Sequence, residues 1–283
     1  MCADGENGCQ RQFFRGTGVL VPSPPDWQAA YIAEKWGWAI KSVSGRAMAK
    51  TAIVTGAGSG VGQAVALQLA GEGWNVGLVG RRADALRQTI ERAGELAPRM
   101  LAIPCDVTNA DQVAKLAAAV AQTFGAAQLL VSAAGINIPN RSWDVLSVED
   151  YRHVIDVNLN GTFNCVRALL PGMRRQGNGS VVVIVSDAGL LASAKSGAAY
   201  VASKFGLRGL VQSLNAEERS HGIRATAILP GDINTPLLDK RPAPPPPAAR
   251  AEMLQPQDIA ACVMLAVNLP RRAIVEELLI RPR

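Results

Sequence analysis

Residues 55–62 read Thr55-Gly56-Ala57-Gly58-Ser59-Gly60-Val61-Gly62 and follow directly on the apolar run 52–54. Glycine lets the backbone turn tightly and approach a phosphate, and a helix that begins there directs its unpaired N–H groups toward the anion. A glycine triplet alone is weak evidence, but this one lies where a predicted strand meets a predicted helix, as a dinucleotide-binding loop requires. The alternative is that the glycines only form a tight turn. A P-loop is excluded because no Gly-Lys-Ser/Thr follows.

Strand-like and helix-like segments alternate through the rest of the chain. We predict strands at 52–55, 74–79, 100–104, 128–132, 180–186, 224–229 and 274–280, and helices at 61–70, 83–96, 111–124, 162–175, 198–220 and 256–267. This alternation implies an α/β fold with a single Rossmann-type doubly wound parallel sheet flanked by helices. The run 241–250 contains Pro244–Pro247, so we expect a stiff extended loop there, facing solvent or docking a proline-recognising partner.

Composition changes near residue 48. Residues 1–47 contain three of the five tryptophans and a proline cluster. In one interpretation, residues 25–41 form a short helix that packs on a partner or on the domain surface. In the other, which we favour, the natural start is Met48 and residues 1–47 are a poorly ordered or non-native N-terminal extension. We expect residues 48–283 to form the Rossmann-fold domain, which is complete without them.

The overall composition argues against several classes of protein. Hydrophobic residues make up 48% of the 283 residues and charged residues 18%, which is typical of a compact globular chain. The net charge is +6, but the basic residues occur singly or in pairs, so we expect no nucleic-acid partner. No apolar stretch is long enough to span a membrane. Two histidines and five cysteines without paired spacing predict no metal site, and reduced thiols in a cytoplasmic protein.

The end of the second predicted strand reads Gly80-Arg81-Arg82. An acidic residue at this position would bind a ribose 2′-hydroxyl and reject a 2′-phosphate. Two guanidinium groups instead suit a phosphate dianion, so the sequence predicts NADP in preference to NAD. The alternative is a surface arginine pair without a ligand. Ser59 in the loop is not basic and adds no second support.

Four polar residues then follow in order: Asn158, Ser186, Tyr200 and Lys204. Tyr200 and Lys204 are four residues apart in a predicted helix, so their side chains share one face. With the glycine loop before it, this series resembles the short-chain dehydrogenase/reductase family, and the resemblance covers Met48 to the end.

The resemblance implies which residues bind the cofactor. Asp106-Val107 matches the segment that contacts adenine. Ser132-Ala133-Ala134-Gly135 matches the family's Asn-Ala-Gly segment, but Ser132 and Ala133 replace its usual pair of asparagines. The complete implied set is Gly56, Gly58, Ser59, Gly60, Val61, Gly62, Arg81, Arg82, Asp106, Val107, Ala133, Ala134, Gly135, Tyr200, Lys204, Pro230, Gly231, Ile233 and Thr235.

The resemblance also implies catalytic roles for Asn158, Ser186, Tyr200 and Lys204. Tyr200 would exchange a proton with the substrate oxygen that Ser186 holds, and Asn158 would anchor a water that relays protons from Lys204. A phenol has a pKa of about 10, and an ammonium group about 4 Å away supplies the roughly 4 kcal/mol that lowers it by about three units. In the family the lysine also binds the nicotinamide ribose.

We therefore expect an NADP(H)-dependent oxidoreductase that interconverts a carbonyl and a secondary alcohol. The substrate would be a small ketone, a hydroxy acid or a 3-oxoacyl compound, and its pocket would be lined by residues 136–143, 190–198 and 237–253. Family members usually form homodimers or homotetramers, which we expect here. The alternatives are a non-catalytic dinucleotide-binding sensor or regulator on the same fold, and an epimerase or dehydratase on a related one.

Overall fold

The computed structural model describes residues 50–283, and these form one seven-stranded sheet with helices on both faces. The strands are β1 (Thr51–Thr55), β2 (Asn75–Gly80), β3 (Met100–Pro104), β4 (Leu129–Ser132), β5 (Gly179–Ile184), β6 (Ile223–Pro230) and β7 (Glu277–Ile280). Their order is β3-β2-β1-β4-β5-β6-β7, and every neighbouring pair is parallel. The predicted Rossmann-type sheet is therefore confirmed.

The helices are α1 (Gly60–Gly71), α2 (Ala83–Arg92), α3 (Ala110–Phe124), α4 (Val148–Ile155), α5 (Gly161–Gln176), α6 (Ala198–Glu218), α7 (Pro247–Ala251) and α8 (Pro256–Asn268). On one face of the sheet, α1 and α8 bury Leu69 and Ile259. On the other face, α3, α5 and α6 bury Leu116, Leu169 and Leu207. Because both faces are covered, the central strands are mostly buried along their length rather than alternating, as in β1, where all five residues are buried.

The strand order reverses between β1 and β4, where Thr55 pairs with Ser132. In a doubly wound sheet, the loops that leave two such strands diverge to opposite faces and open a crevice at their carboxyl ends. The glycine loop and the segment 133–135 therefore lie side by side at this crevice.

Several predicted boundaries were wrong. The second helix ends at Arg92, not at 96, because Gly94 adopts a φ of +55° and Pro98 follows, leaving only a 3₁₀ turn over Gly94–Arg99. The predicted loop at 241–250 is not extended over its whole length, because α7 begins at Pro247. Proline is well suited to the first position of a helix. Strand β5 ends at Ile184, two residues before Ser186, and β7 begins at 277 rather than 274.

Helix α4 was also missed. Ser147 caps α4 by accepting a hydrogen bond from the backbone N–H of Asp150, and this Ser-x-x-Asp spacing is a start signal that the sequence displays. The predictions for residues 1–47 lie outside the described residues. Within residues 50–283, no helix is both long and apolar enough to cross a membrane.

Candidate active site

The glycine loop follows β1, and two of its glycines have no space for a side chain. Gly56 has a φ of +68°, and a Cβ placed on it would lie 2.8 Å from the Ala133 carbonyl oxygen. A Cβ on Gly62 would lie 2.4 Å from the carbonyl oxygen of Gly56. The loop is therefore folded against both β4 and the first turn of α1. Its backbone is exposed toward the crevice, as phosphate binding requires.

A cavity of about 150 Å³ lies between this loop and the start of α2. It is lined by Gly56, Gly58, Ser59, Gly80, Arg81, Arg82, Ala85 and Leu86. Both arginine side chains are exposed, and no carboxylate belongs to this lining within the described chain. The predicted 2′-phosphate residues therefore share a cavity with the predicted phosphate-binding loop.

Three hydroxyl groups support the floor of the crevice where the family asparagines are missing. Thr55 Oγ1 accepts hydrogen bonds from the backbone N–H groups of Ala133 and Ala134, at 3.1 and 3.0 Å. Ser132 Oγ lies 2.8 Å from Thr162 Oγ1, and Thr162 donates to the Asn158 carbonyl at 3.0 Å. Hydroxyl groups thus tie β4 to β1 and to α5 without an amide side chain.

Asn158 lies in a π-helical turn, Asp156–Asn160, between α4 and α5. Such turns are rare and occur often at functional sites. The side chain is fully buried: its Oδ1 accepts from the Ile136 N–H at 2.8 Å, and its Nδ2 donates to the Ile136 carbonyl at 3.1 Å and to Ser203 Oγ at 3.0 Å. Asn158 therefore fixes the backbone that follows Gly135.

Ser186 follows β5 and caps a short 3₁₀ turn. Its Oγ accepts a hydrogen bond from the Ala188 N–H at 3.1 Å and donates to the Asp187 carboxylate at 3.3 Å. The same hydroxyl lies close enough to Tyr200 for hydrogen bonding between them to lower the pKa of the phenol. Ser186 is thus both a structural cap and a neighbour of the predicted acid.

Tyr200 and Lys204 lie on one face of α6, as predicted. Lys204 is 4% exposed and its amine donates to the Ile184 carbonyl at 2.9 Å. Burial lowers the pKa of Lys204 to about 7 and raises the pKa of Tyr200 to about 12. The expected lowering of the pKa of Tyr200 is therefore not found in this structure, because burial outweighs the hydrogen bond with Ser186 and the charges of Arg241 and Arg141, which lower it.

A second cavity, of about 200 Å³, brings most predicted residues together. Its lining contains Gly56, Ser59, Gly60, Val61, Gly62, Ala133, Gly135, Ile184, Val185, Ser186, Tyr200, Lys204, Pro230, Gly231, Ile233, Thr235, Pro236 and Leu237. Of the expected substrate walls, only Leu237 belongs to this lining; Trp143 is 85% exposed. Ile184, Val185 and Pro236 were not predicted.

Four predicted residues lie outside both linings: Asp106, Val107, Ala134 and Asn158. Burial disfavours the Asp106 carboxylate, but hydrogen bonds from Thr108 and the charge of Arg81 outweigh it and lower the pKa of Asp106. Val107 is buried against Gly161, and a Cβ placed on Gly161 would lie 2.5 Å from Val107 Cγ2. Within the described chain, no cluster of metal-binding side chains is present.

Comparison with known proteins explains this arrangement. The family described as short chain dehydrogenase matches residues 50–245, more than half of the chain. The chain belongs to the short chain dehydrogenase family. It is therefore an oxidoreductase of that family.

Two relatives and one solved structure illustrate the similarity. An uncharacterized oxidoreductase of Staphylococcus aureus (strain N315) is 35% identical over 233 residues, which cover 82% of this chain and 97% of that protein. Glycine betaine reductase ATRR of Emericella nidulans is 35% identical over 242 residues, and this chain spans only 19% of its length. The alcohol dehydrogenase of Thermococcus sibiricus, complexed with 5-hydroxy-NADP, is 29% identical with a TM-score of 0.73, covering 82% of this chain and 96% of that one.

This short chain dehydrogenase contains supporting residues that the sequence did not single out. Three of them are hydroxyl residues in strands and a helix: Thr55, Ser132 and Thr162. Their spacing in the sequence does not indicate that their side chains lie close together. Arg141 is 7% exposed and hydrogen-bonds three backbone carbonyls beside the site. Its polar neighbours Asn140 and Ser142 give no sign that it is buried.

Proposed function

We propose that this protein is an NADP(H)-dependent oxidoreductase that interconverts a small carbonyl compound and a secondary alcohol, with Tyr200 as the proton donor or acceptor. One observation carries the proposal: the glycine loop, Ser186, Tyr200 and Lys204 line a single cavity at the carboxyl edge of the sheet. That edge is where doubly wound sheets bind their ligands.

The residues present fit a dinucleotide with a 2′-phosphate. The space that a Cβ would need at Gly56 and Gly62 is filled by backbone, which leaves bare N–H groups for a pyrophosphate. Arg81 and Arg82 offer planar donors in the adjoining cavity, and the related alcohol dehydrogenase was solved with an NADP derivative. When bound, the dinucleotide supplies or takes up the hydride.

The protein's own residues manage the proton. With a pKa of about 12, the Tyr200 phenol keeps its proton at neutral pH and can donate it to a carbonyl oxygen, which Ser186 also contacts in our proposal. With a pKa of about 7, Lys204 exchanges protons with its surroundings near neutrality and is suited to reload the phenol. A Cβ on Gly135 would lie 3.5 Å from Asn158 Oδ1 and 3.8 Å from Lys204 Nζ, so the relay water that we propose would lie beside Gly135.

The test is NADPH oxidation across a panel of small ketones, oxo acids and 3-oxoacyl thioesters. We expect turnover of at least one class, faster with NADPH than with NADH. Tight NADPH binding without turnover of any compound, and with the same NADPH affinity in Tyr200→Phe, would instead support the non-catalytic sensor.

We further propose a cytoplasmic homodimer or homotetramer. Phe163 on α5 and Phe205 on α6 are 47% and 43% exposed, which suits burial against a second copy. Cys105, Cys165 and Cys262 are free thiols, as expected in a reducing compartment. Light scattering of the purified protein would give the oligomeric state, and a monomer would refute that part of the proposal.

A further inference from the structure

Arg141 is a buried cation whose hydrogen bonds all go to backbone. It is 7% exposed. Its Nε donates to the Ile138 carbonyl at 2.6 Å, and its two terminal nitrogens donate to the carbonyls of Lys195 and Lys240, at 3.3 and 2.7 Å. Among residues 50–283, no carboxylate lies within salt-bridge distance of it.

The three carbonyls belong to three separate segments, each following a different strand. Ile138 follows β4, Lys195 lies between β5 and α6, and Lys240 follows β6. Residues of the same three segments line the catalytic cavity: Gly135, Ser186 and Leu237 respectively. A planar guanidinium has donors that diverge in fixed directions, so one arginine reaches three carbonyls that a single ammonium group would not.

A second set of contacts joins two of these segments. Gly197 has a φ of +77°, and a Cβ on it would lie 2.6 Å from both the Cβ and the carbonyl oxygen of Arg141. Asn137 Nδ2 also donates to the Ser196 carbonyl at 3.0 Å. Gly197 is the residue immediately before α6, and Tyr200 lies in the first turn of that helix. The position of Tyr200 is therefore tied to the segment that contains Arg141.

We propose that Arg141 is a positioning residue that holds the three segments around the cavity, so that a substrate carbonyl meets Ser186 and Tyr200 together. The role toward substrate rests on the proposed function, whereas the tie among the segments does not. The charged groups that face Tyr200 are Lys204 from its own helix, Asp187 after β5, Arg241 after β6 and Arg141 after β4. The positive charge of Arg141 also lowers the pKa of Tyr200.

The experiment compares Arg141→Met and Arg141→Lys with the control Arg152→Met, which changes an exposed arginine on α4. Hydrogen exchange followed by mass spectrometry needs no turnover. We expect Arg141→Met to speed exchange about tenfold or more in residues 136–147, 190–197 and 236–241 together, with α1 unchanged, because local opening becomes easier. Unchanged exchange in these three segments would overturn the proposal.

Steady-state kinetics then test the link to substrate. We expect KM for the carbonyl compound to rise about tenfold in both Arg141 variants, with KM for NADPH within about twofold of wild type. Arg141→Lys keeps the positive charge that lowers the pKa of Tyr200, whereas Arg141→Met removes it, so a larger loss of kcat in Arg141→Met than in Arg141→Lys would show the contribution of the charge. Equal increases in both KM values would mean a general structural role and would sink the proposal.

Two further results remain interpretable. If Arg141→Met does not fold, Arg141→Lys keeps the charge and part of the contacts, and its exchange and KM values decide the question. If the wild type turns over no carbonyl compound, the proposed function fails and the substrate role of Arg141 fails with it. Faster exchange in the three segments would still establish the tie.

Discussion

The amine of Lys204 lies 5.3 Å from the centre of the Tyr200 ring. Burial disfavours the charged form of both groups, so it raises the pKa of the phenol and lowers that of the amine. At neutral pH the phenol is therefore fully protonated while the amine is close to half protonated. A protonated phenol is what the proposed reductive direction requires, because that direction gives a proton to a carbonyl oxygen.

Tyr200→Phe removes the proposed donor without changing the shape of the ring. We expect kcat/KM for the carbonyl compound to fall by about a hundredfold to ten-thousandfold. The Kd for NADPH, measured by fluorescence, should stay within about threefold, because the phenol contributes little to dinucleotide binding compared with the phosphate contacts. Tyr151→Phe, which changes a tyrosine that is 40% exposed on α4, is the matched control and should be silent.

Lys204→Met is expected to remove a pH dependence of stability. Burial lowers the pKa of Lys204 from 10.5 to about 7. Between these values the unfolded chain binds more protons at this side chain than the folded chain, so wild type gains stability relative to the variant as pH rises, by at most about 1.4 kcal/mol per pH unit. Urea unfolding of both proteins at pH 7, 8 and 9 measures the difference. A difference independent of pH would contradict a lowered pKa.

Arg81→Gln combined with Arg82→Gln should weaken NADPH binding and leave NADH binding nearly unchanged. Each guanidinium that binds a phosphate contributes about 1.5–3 kcal/mol, so loss of the pair should raise KM for NADPH by about a hundredfold or more. Arg87→Gln, at an exposed position of α2 outside the cavity, is the control. If KM for NADPH and KM for NADH rose by the same factor, the two arginines would not bind the 2′-phosphate.

Thr162→Val tests the hydroxyl chain under the crevice. The substitution keeps the shape but leaves Ser132 Oγ and the Asn158 carbonyl without their buried partner. We expect a loss of about 1–3 kcal/mol in the free energy of unfolding. Thr123→Val is the matched control, because Thr123 makes the same bond to the carbonyl four residues earlier but is exposed. Equal losses in both variants would show that the buried hydrogen bonds of Thr162 add nothing to the free energy of unfolding.

The sequence predicted the architecture because periodic patterns and glycine chemistry are local. Strand β3 was predicted with its observed bounds, and the glycine loop was placed at the junction where it lies. Tyr200 and Lys204 share a face because helical spacing alone requires it. Helix α4 was missed although its Ser147 cap was readable, since its eight residues carry only one fully buried apolar side chain.

The electrostatics of the site could not be predicted in the same way. The pKa values of Lys204 and Tyr200 depend on how deeply the fold buries them, which spacing does not reveal. The contacts of Thr55 with Ala133 and of Arg141 with Lys240 join residues 78 and 99 positions apart. Such pairs arise from topology and side-chain direction, so only the folded chain shows them.

Gly56 and Ser59 line both cavities of the crevice. A ligand that occupied both cavities would contact residues that follow β2 and residues that follow β5 and β6 at the same time. Its binding energy would then add to the resistance of the whole sheet to unfolding, by about 2.7 kcal/mol at a hundredfold excess over Kd. The stability of the folded protein would then depend on the concentration of that ligand.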